Sequence, residues 1–127
     1  MVFQRLFNKP SIEEVSAEEA KAKQKAGAVI VDVRESHEWH EGYIPGAKLI
    51  PLGILAKRAQ ELDSSKEIIA VCRSGNRSIS AVLILQRAGF TRVSSMAGGM
   101  ISWTRQRFPV SRAQTAGVST SRGAALR

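Results

Sequence analysis

The chain has 127 residues, 43% of them hydrophobic, a single cysteine and a formal net charge of +8. That length suits one domain with a real core, and one cysteine excludes an internal disulfide and any metal site built from several cysteines. No run of about 18 apolar residues occurs, so no membrane-spanning helix is expected, and a lone free thiol suits a reducing, cytoplasmic compartment.

Residues 1 to 10 are expected to be a loosely held arm, and residues 11 to 107 the folded domain. The opening Met1-Val2-Phe3-Gln4-Arg5-Leu6-Phe7 is too short for a secretory signal with its cleavage site. Ile12 to Val15 suits a first strand. Ser16, with Glu19 three residues later, is a capping box that opens a helix running to Lys25 and stopped by Gly27. Ala28 to Val33 is apolar throughout almost all its length and reads as a strand buried on both faces. Asp32 and Arg34 follow at its carboxyl end, where open α/β sheets build their sites. Alternation puts the two on one side of the strand, and Arg34 is spaced to pair with Glu38 if Ser36 starts a helical turn.

His37 and His40 lie in a polar turn where exposed histidines are ordinary, and two histidines without a third ligand make no zinc site. Trp39 is expected to pack on the sheet. Gly42-Tyr43-Ile44-Pro45-Gly46-Ala47 is a tight turn into a third strand at Lys48 to Ile50, followed by a predicted helix over Leu52 to Leu62 and a polar turn, Asp63-Ser64-Ser65-Lys66.

The densest chemistry follows in Glu67-Ile68-Ile69-Ala70-Val71-Cys72-Arg73-Ser74-Gly75-Asn76-Arg77-Ser78. The apolar run is a buried strand that delivers Cys72 to its carboxyl end. From Ser78 onward, Ala81, Val82, Leu83, Leu85 and Ala88 have helical spacing with Gly89 as a stop, so a helix begins just past the loop. A helix N-terminus and nearby guanidinium groups favour the thiolate, the reactive form of cysteine. Gly75 allows the backbone N–H groups from Arg73 to Ser78 to converge on one point as an anion-binding nest. The plain alternative, that Cys72 is a small buried hydrophobe, does not account for a cationic glycine turn.

A short strand at Arg92 to Ser95 and a helix bearing Trp103 complete the domain. Met96, Met100 and Trp103 are expected in the core, and Pro109 stops the helix. Residues 108 to 127 are expected to be a disordered basic tail: from Arg105 on there are five arginines and no acid. The tail lacks clustered charge and, beyond Phe108, any aromatic for base stacking, so nucleic-acid binding is not expected. Repeated βαβ units give an α/β fold, with a central parallel five-stranded sheet and helices on both faces.

The Cys72 loop resembles the active-site loop of the rhodanese-like sulfurtransferases. Four further stretches match that family in order. Asp32-Val33-Arg34-Glu35 is similar to its DVRE strand end, and Glu38-Trp39-His40-Glu41-Gly42-Tyr43-Ile44-Pro45-Gly46-Ala47 to its E-aromatic-x-x-GHIPGA segment, with tyrosine where the family usually has histidine. Gly89-Phe90 with Val93, and Gly98-Gly99 with Trp103, fit its remaining signatures.

The resemblance implies a rhodanese-like fold and a sulfurtransferase in which Cys72 is the nucleophile. Arg73, Ser74, Gly75, Asn76, Arg77 and Ser78 would bind the substrate, and Asp32 and Arg34 would support the neighbouring loops. The Cys72 thiolate would take a sulfur from a small anionic donor such as thiosulfate and pass it to a thiol or cyanide acceptor. No metal or organic cofactor is implied, and a monomer is expected. A persulfide carrier or sulfur-sensing module served by a sulfur-relay protein partner would use the same cysteine. A cysteine phosphatase of the same fold fits less well, because such enzymes place five residues between cysteine and arginine. Four lie between Cys72 and Arg77, a cradle better sized for a single sulfur.

Overall fold

The computed structural model describes residues 12–112. Five parallel strands form one sheet: β1 (Glu13–Val15), β2 (Val29–Asp32), β3 (Lys48–Leu49), β4 (Ile68–Val71) and β5 (Val93–Met96), in the spatial order β1-β5-β4-β2-β3. Four helices lie between successive strands and a fifth follows β5: α1 (Ala17–Lys25), the single turn α2 (Ser36–Trp39), α3 (Leu55–Arg58), α4 (Arg77–Arg87) and α5 (Gly99–Arg105). The expected sheet and its helical layers are present, and the strand limits differ from the expected ones by one or two residues. The Ser16 capping box forms with both of its reciprocal bonds, Glu19 N–H to Ser16 Oγ at 3.0 Å and Ser16 N–H to Glu19 Oε1 at 2.8 Å.

Alternation along the central strands divides the core into two layers. Val31, Ile68, Ala70 and Cys72 point toward α3 and α4 and pack with Leu55, Val82 and Leu85. Ile30, Ile69, Val71 and Met96 point to the other face and pack with Ala20, Met100 and Trp103 of α1 and α5. Both layers are almost wholly buried, as expected for a parallel sheet covered on each side.

Two expectations are corrected. Residues 52–62 are not one helix: Leu52–Ile54 and Ala59–Glu61 are 3-10 turns flanking the short α3. The Leu52 amide donates to Val33 O at 3.0 Å, which pins the start of the segment to the sheet, and exposed Gly53 has poor helix propensity. Leu55, Ala59 and Leu62 are buried all the same, so the apolar spacing recorded which side faces the core, not a continuous helix.

The second correction concerns the tail. Residues 108–112 are held on the domain. Phe108 meets Trp103 edge-on with ring centroids 5.1 Å apart, and Trp103 Nε1–H donates to Pro109 O at 2.8 Å. Ser111 then pairs with Tyr43 through two backbone hydrogen bonds of 2.8 Å. The expectations for residues 1–11 and 113–127 fall outside the described residues.

Candidate active site

Cys72 continues the alternation of β4 one step past the strand, so its side chain falls on the side where α4 begins. The chain turns at Gly75, whose φ of +108° is strained for any residue with a side chain, and enters α4 at Arg77. That turn brings two backbone donors and a hydroxyl to one sulfur. The Gly75 N–H lies 3.1 Å and the Ser78 N–H 3.3 Å from Cys72 Sγ, with Ser78 Oγ at 3.5 Å. The cysteine is only 1% exposed, and such burial would push a thiol's pKa up. The Ser78 hydroxyl and the N–H groups of Ser78, Gly75 and Ser74 outweigh that effect and hold the pKa below its ordinary value. Cys72 is therefore buried in a polar cup fitted to an anion.

The start of α5 braces the loop. Met100 N–H donates to Cys72 O at 2.8 Å and Ile101 N–H to Arg73 O at 3.1 Å. Both loop carbonyls are thereby bound to α5, which fixes the two peptides that lead into the turn. This close approach depends on Gly98 and Gly99, both with positive φ. A Cβ on Gly99 would lie 2.5 Å from Arg73 O and would also collide with Cys72 O. Sequence reasoning took the glycine pair as part of a family signature and not as a brace for the cysteine loop.

Two ion pairs flank the cup. Arg34, 3% exposed, grips Asp32 through Nε (2.9 and 3.1 Å) and Nη2 (2.7 Å), and its Nη2 also donates to Gly42 O at 2.9 Å. The guanidinium thus ties the end of β2 to the turn that follows α2. The expected Arg34–Glu38 pair does not form: Asp32 is the nearer carboxylate on the same strand face, and Arg34 reaches only the Glu38 carbonyl, at 3.4 Å. Glu38 instead meets Arg77 in a two-pronged pair of 2.7 and 2.9 Å. Arg77, with a further contribution from the Glu35 N–H, draws the Glu38 carboxyl down to about 2 against the opposing effect of burial. The charge of Arg77 is largely offset there, whereas the exposed Arg73 guanidinium has no ion-pair partner among the described residues.

Ser74 and Asn76 are exposed on the loop. Asn76 occupies the N-cap position of α4 without a side-chain capping bond. His37 and His40 are exposed, and among the described residues neither hydrogen-bonds to the sulfur. Trp39 stacks on Tyr43, with centroids 4.0 Å apart and planes 9° off parallel, in place of packing on the sheet. Beside the loop a groove of about 180 Å³ is lined by Arg73, Met100, Ile101, Glu41, Val110 and Arg112, among others. Arg112 closes one side by donating to Glu41 O at 2.6 Å. Sequence reasoning missed Arg112 because it was assigned to the tail, and missed the pairing of Glu38 with Arg77 because the two lie 39 positions apart.

The family model described as "Rhodanese-like domain" matches residues 16–106. A putative sulfur carrier protein of Bacillus subtilis, YrkF, is 41% identical over 99 residues, covering 76% of this chain and 54% of its own, so the match spans about half of that relative. The thiosulfate sulfurtransferase GlpE of Stutzerimonas stutzeri is 35% identical over 95 residues, covering 75% of this chain and 86% of the relative. Among solved structures, a rhodanese-related protein from Thermoplasma volcanium superimposes with a TM-score of 0.74 at 30% identity, over 80% of this chain and 99% of that one.

Proposed function

The chain belongs to the rhodanese-like domain family, and from that premise we propose that it moves sulfane sulfur through a persulfide on Cys72, with thiosulfate or a similar small anion as donor. Relatives named as sulfurtransferases and sulfur carriers support sulfur transfer in the general sense. The observation that carries the finer reading is the convergence of the Gly75 and Ser78 N–H groups on Cys72 Sγ.

In the first half-reaction the Cys72 thiolate attacks the outer sulfur of the donor. The donor's S–S bond breaks, sulfite leaves with the bonding electrons, and the terminal sulfur stays on Cys72 as a persulfide anion. In the second, cyanide or a thiolate attacks that terminal sulfur and Cys72 departs as a thiolate. Charge is conserved in both steps and no metal or organic cofactor takes part. The loop amides and the first turn of α4 stabilise the anion in each state. Arg73, exposed at the rim and without an ion-pair partner among the described residues, attracts the donor's sulfonate, while Arg77 holds the α2 turn through Glu38. Asp32 and Arg34 fix the wall of the site by way of Gly42.

Mass spectrometry of the protein after incubation with thiosulfate tests this. The expected result is a gain of one sulfur atom, removed by cyanide and absent from Cys72→Ser. The match to a putative sulfur carrier favours a second reading, in which loading from thiosulfate is poor and loading from a persulfidated protein donor is fast. Absence of any sulfur adduct from either source, or hydrolysis of an aryl phosphate far faster than thiosulfate turnover, would overturn the sulfur-transfer assignment.

A further inference from the structure

The Ser78 hydroxyl has a second partner beyond the sulfur. Ser95 Oγ on β5 lies 2.7 Å from Ser78 Oγ, which is itself 3.5 Å from Cys72 Sγ. Both serines are fully buried. Ser95 reaches Ser78 because alternation along β5 directs it, with Val93, to the α4 side of the sheet. Its neighbour Ser94 points to the opposite face and its Oγ has no hydrogen-bond partner among the described residues. The sequence of β5 gives no hint of this difference between adjacent serines.

We propose that Ser95 is a positioning residue: it orients the Ser78 hydroxyl so that Cys72 is stabilised as the leaving group when sulfur is handed on. The proposal rests on the persulfide reading given above. A hydroxyl donates one proton, so the pair has two arrangements. When sulfur is a thiol, its S–H points at Ser78 and Ser78 donates to Ser95. When it is a thiolate, Ser95 donates to Ser78 and Ser78 donates to Sγ. The chain ends at a buried residue, so no proton leaves by it, and the pair only reorients.

The position of the charge then decides which step benefits. In the persulfide the negative charge sits on the terminal sulfur, and Sγ carries little. In the second half-reaction the acceptor forms a bond to the terminal sulfur, the bond between the two sulfurs breaks, and its electron pair returns to Sγ. A donor aimed at Sγ therefore favours the discharge transition state over the persulfide ground state. In the first half-reaction the same bond raises the thiolate fraction but lowers the sulfur's nucleophilicity, and the two effects oppose each other.

The test compares Ser95→Ala with Ser94→Ala and Ser78→Ala. Iodoacetamide alkylation of Cys72 is followed against pH, and loading by thiosulfate and discharge to cyanide are timed separately in single turnovers. Ser95→Ala is expected to move the alkylation midpoint to higher pH and to slow discharge about fivefold, with loading changed less than about twofold. Ser94→Ala should alter none of these, and Ser95→Ala should add little in a Ser78→Ala background. The charged groups nearest the cup, Arg73 and Arg77 on the loop, Asp32 and Arg34 at the end of β2 and Glu38 on α2, make no hydrogen bond to either serine, so they are common to every variant. An unchanged alkylation profile in Ser95→Ala overturns the orienting role. A moved midpoint with equal slowing of both half-reactions overturns the leaving-group role. Should the wild-type protein never take up sulfur, the persulfide reading fails while the alkylation comparison still decides the orientation.

Discussion

Replacing Glu38 by glutamine keeps the shape of the side chain and removes its charge, and the consequence should depend on pH in a calculable way. Glu38 forms a two-pronged pair with Arg77 in the folded protein, where its carboxyl is held at about 2 against an ordinary 4.5. Because the folded pKa is the lower one, the stabilisation is fully present above about pH 4.5 and is lost as the pH falls toward about 2. Taken at face value that displacement corresponds to about 3 kcal/mol. The Glu38 side chain is 15% and the Arg77 side chain 36% exposed, so solvent screening reduces the expectation to about 1–2 kcal/mol. Glutamine retains an oxygen for the Glu35 N–H, which leaves the α2 turn capped. Urea unfolding of wild type and Glu38→Gln at several pH values measures the difference, which should be about 1–2 kcal/mol at pH 7 and should close as the carboxyl protonates. A difference equally large at pH 7 and pH 3 would refute the ion-pair account and point to a packing effect.

Three further outcomes are expected. Cys72→Ser should lose all sulfur uptake from thiosulfate while its unfolding midpoint changes little, since serine also accepts the loop amides; retained uptake would remove Cys72 as nucleophile. Arg73→Ala should weaken the binding of anionic donors by about 1 kcal/mol at low salt, an effect that fades as ionic strength rises, whereas Arg77→Ala should act mainly on stability because Glu38 already offsets its charge. Steady-state KM values for thiosulfate at two salt concentrations separate these, and an unchanged KM for Arg73→Ala at low salt counts against the rim assignment. Gly99→Ala should cost about 2 kcal/mol or more and lower the reactive thiolate fraction, because its Cβ would force Arg73 O out of place; wild-type melting and alkylation would contradict the bracing role of α5.

The strand that carries Cys72 and the glycine turn after it were legible because their signals are local: four apolar residues in a row, one glycine and a helical spacing from Ser78 onward. Asp32 and Arg34 were legible for the same reason, two residues apart on one strand. The features that went unread come from pairs far apart in sequence. Glu38 finds Arg77, Ser78 finds Ser95 and Tyr43 finds Ser111 only when the sheet brings them together. The local i,i+4 rule favoured Glu38 for Arg34, but a buried carboxylate two residues away competes better than one on a neighbouring turn. In residues 52–62 the apolar spacing was correct and the backbone was not, since a short connector can present the same residues through 3-10 turns.

The pairing of β1 with β5, the first and last strands of the domain, sets an order of events during synthesis. While the chain emerges from the ribosome, β1 has no partner until nearly the whole domain has been made. The carbonyls of Cys72 and Arg73 likewise wait for Met100 and Ile101, which are translated later still. A nascent chain stalled before α5 would lack the two bonds that hold those carbonyls, so the bracing of the cysteine loop should coincide with completion of the fold.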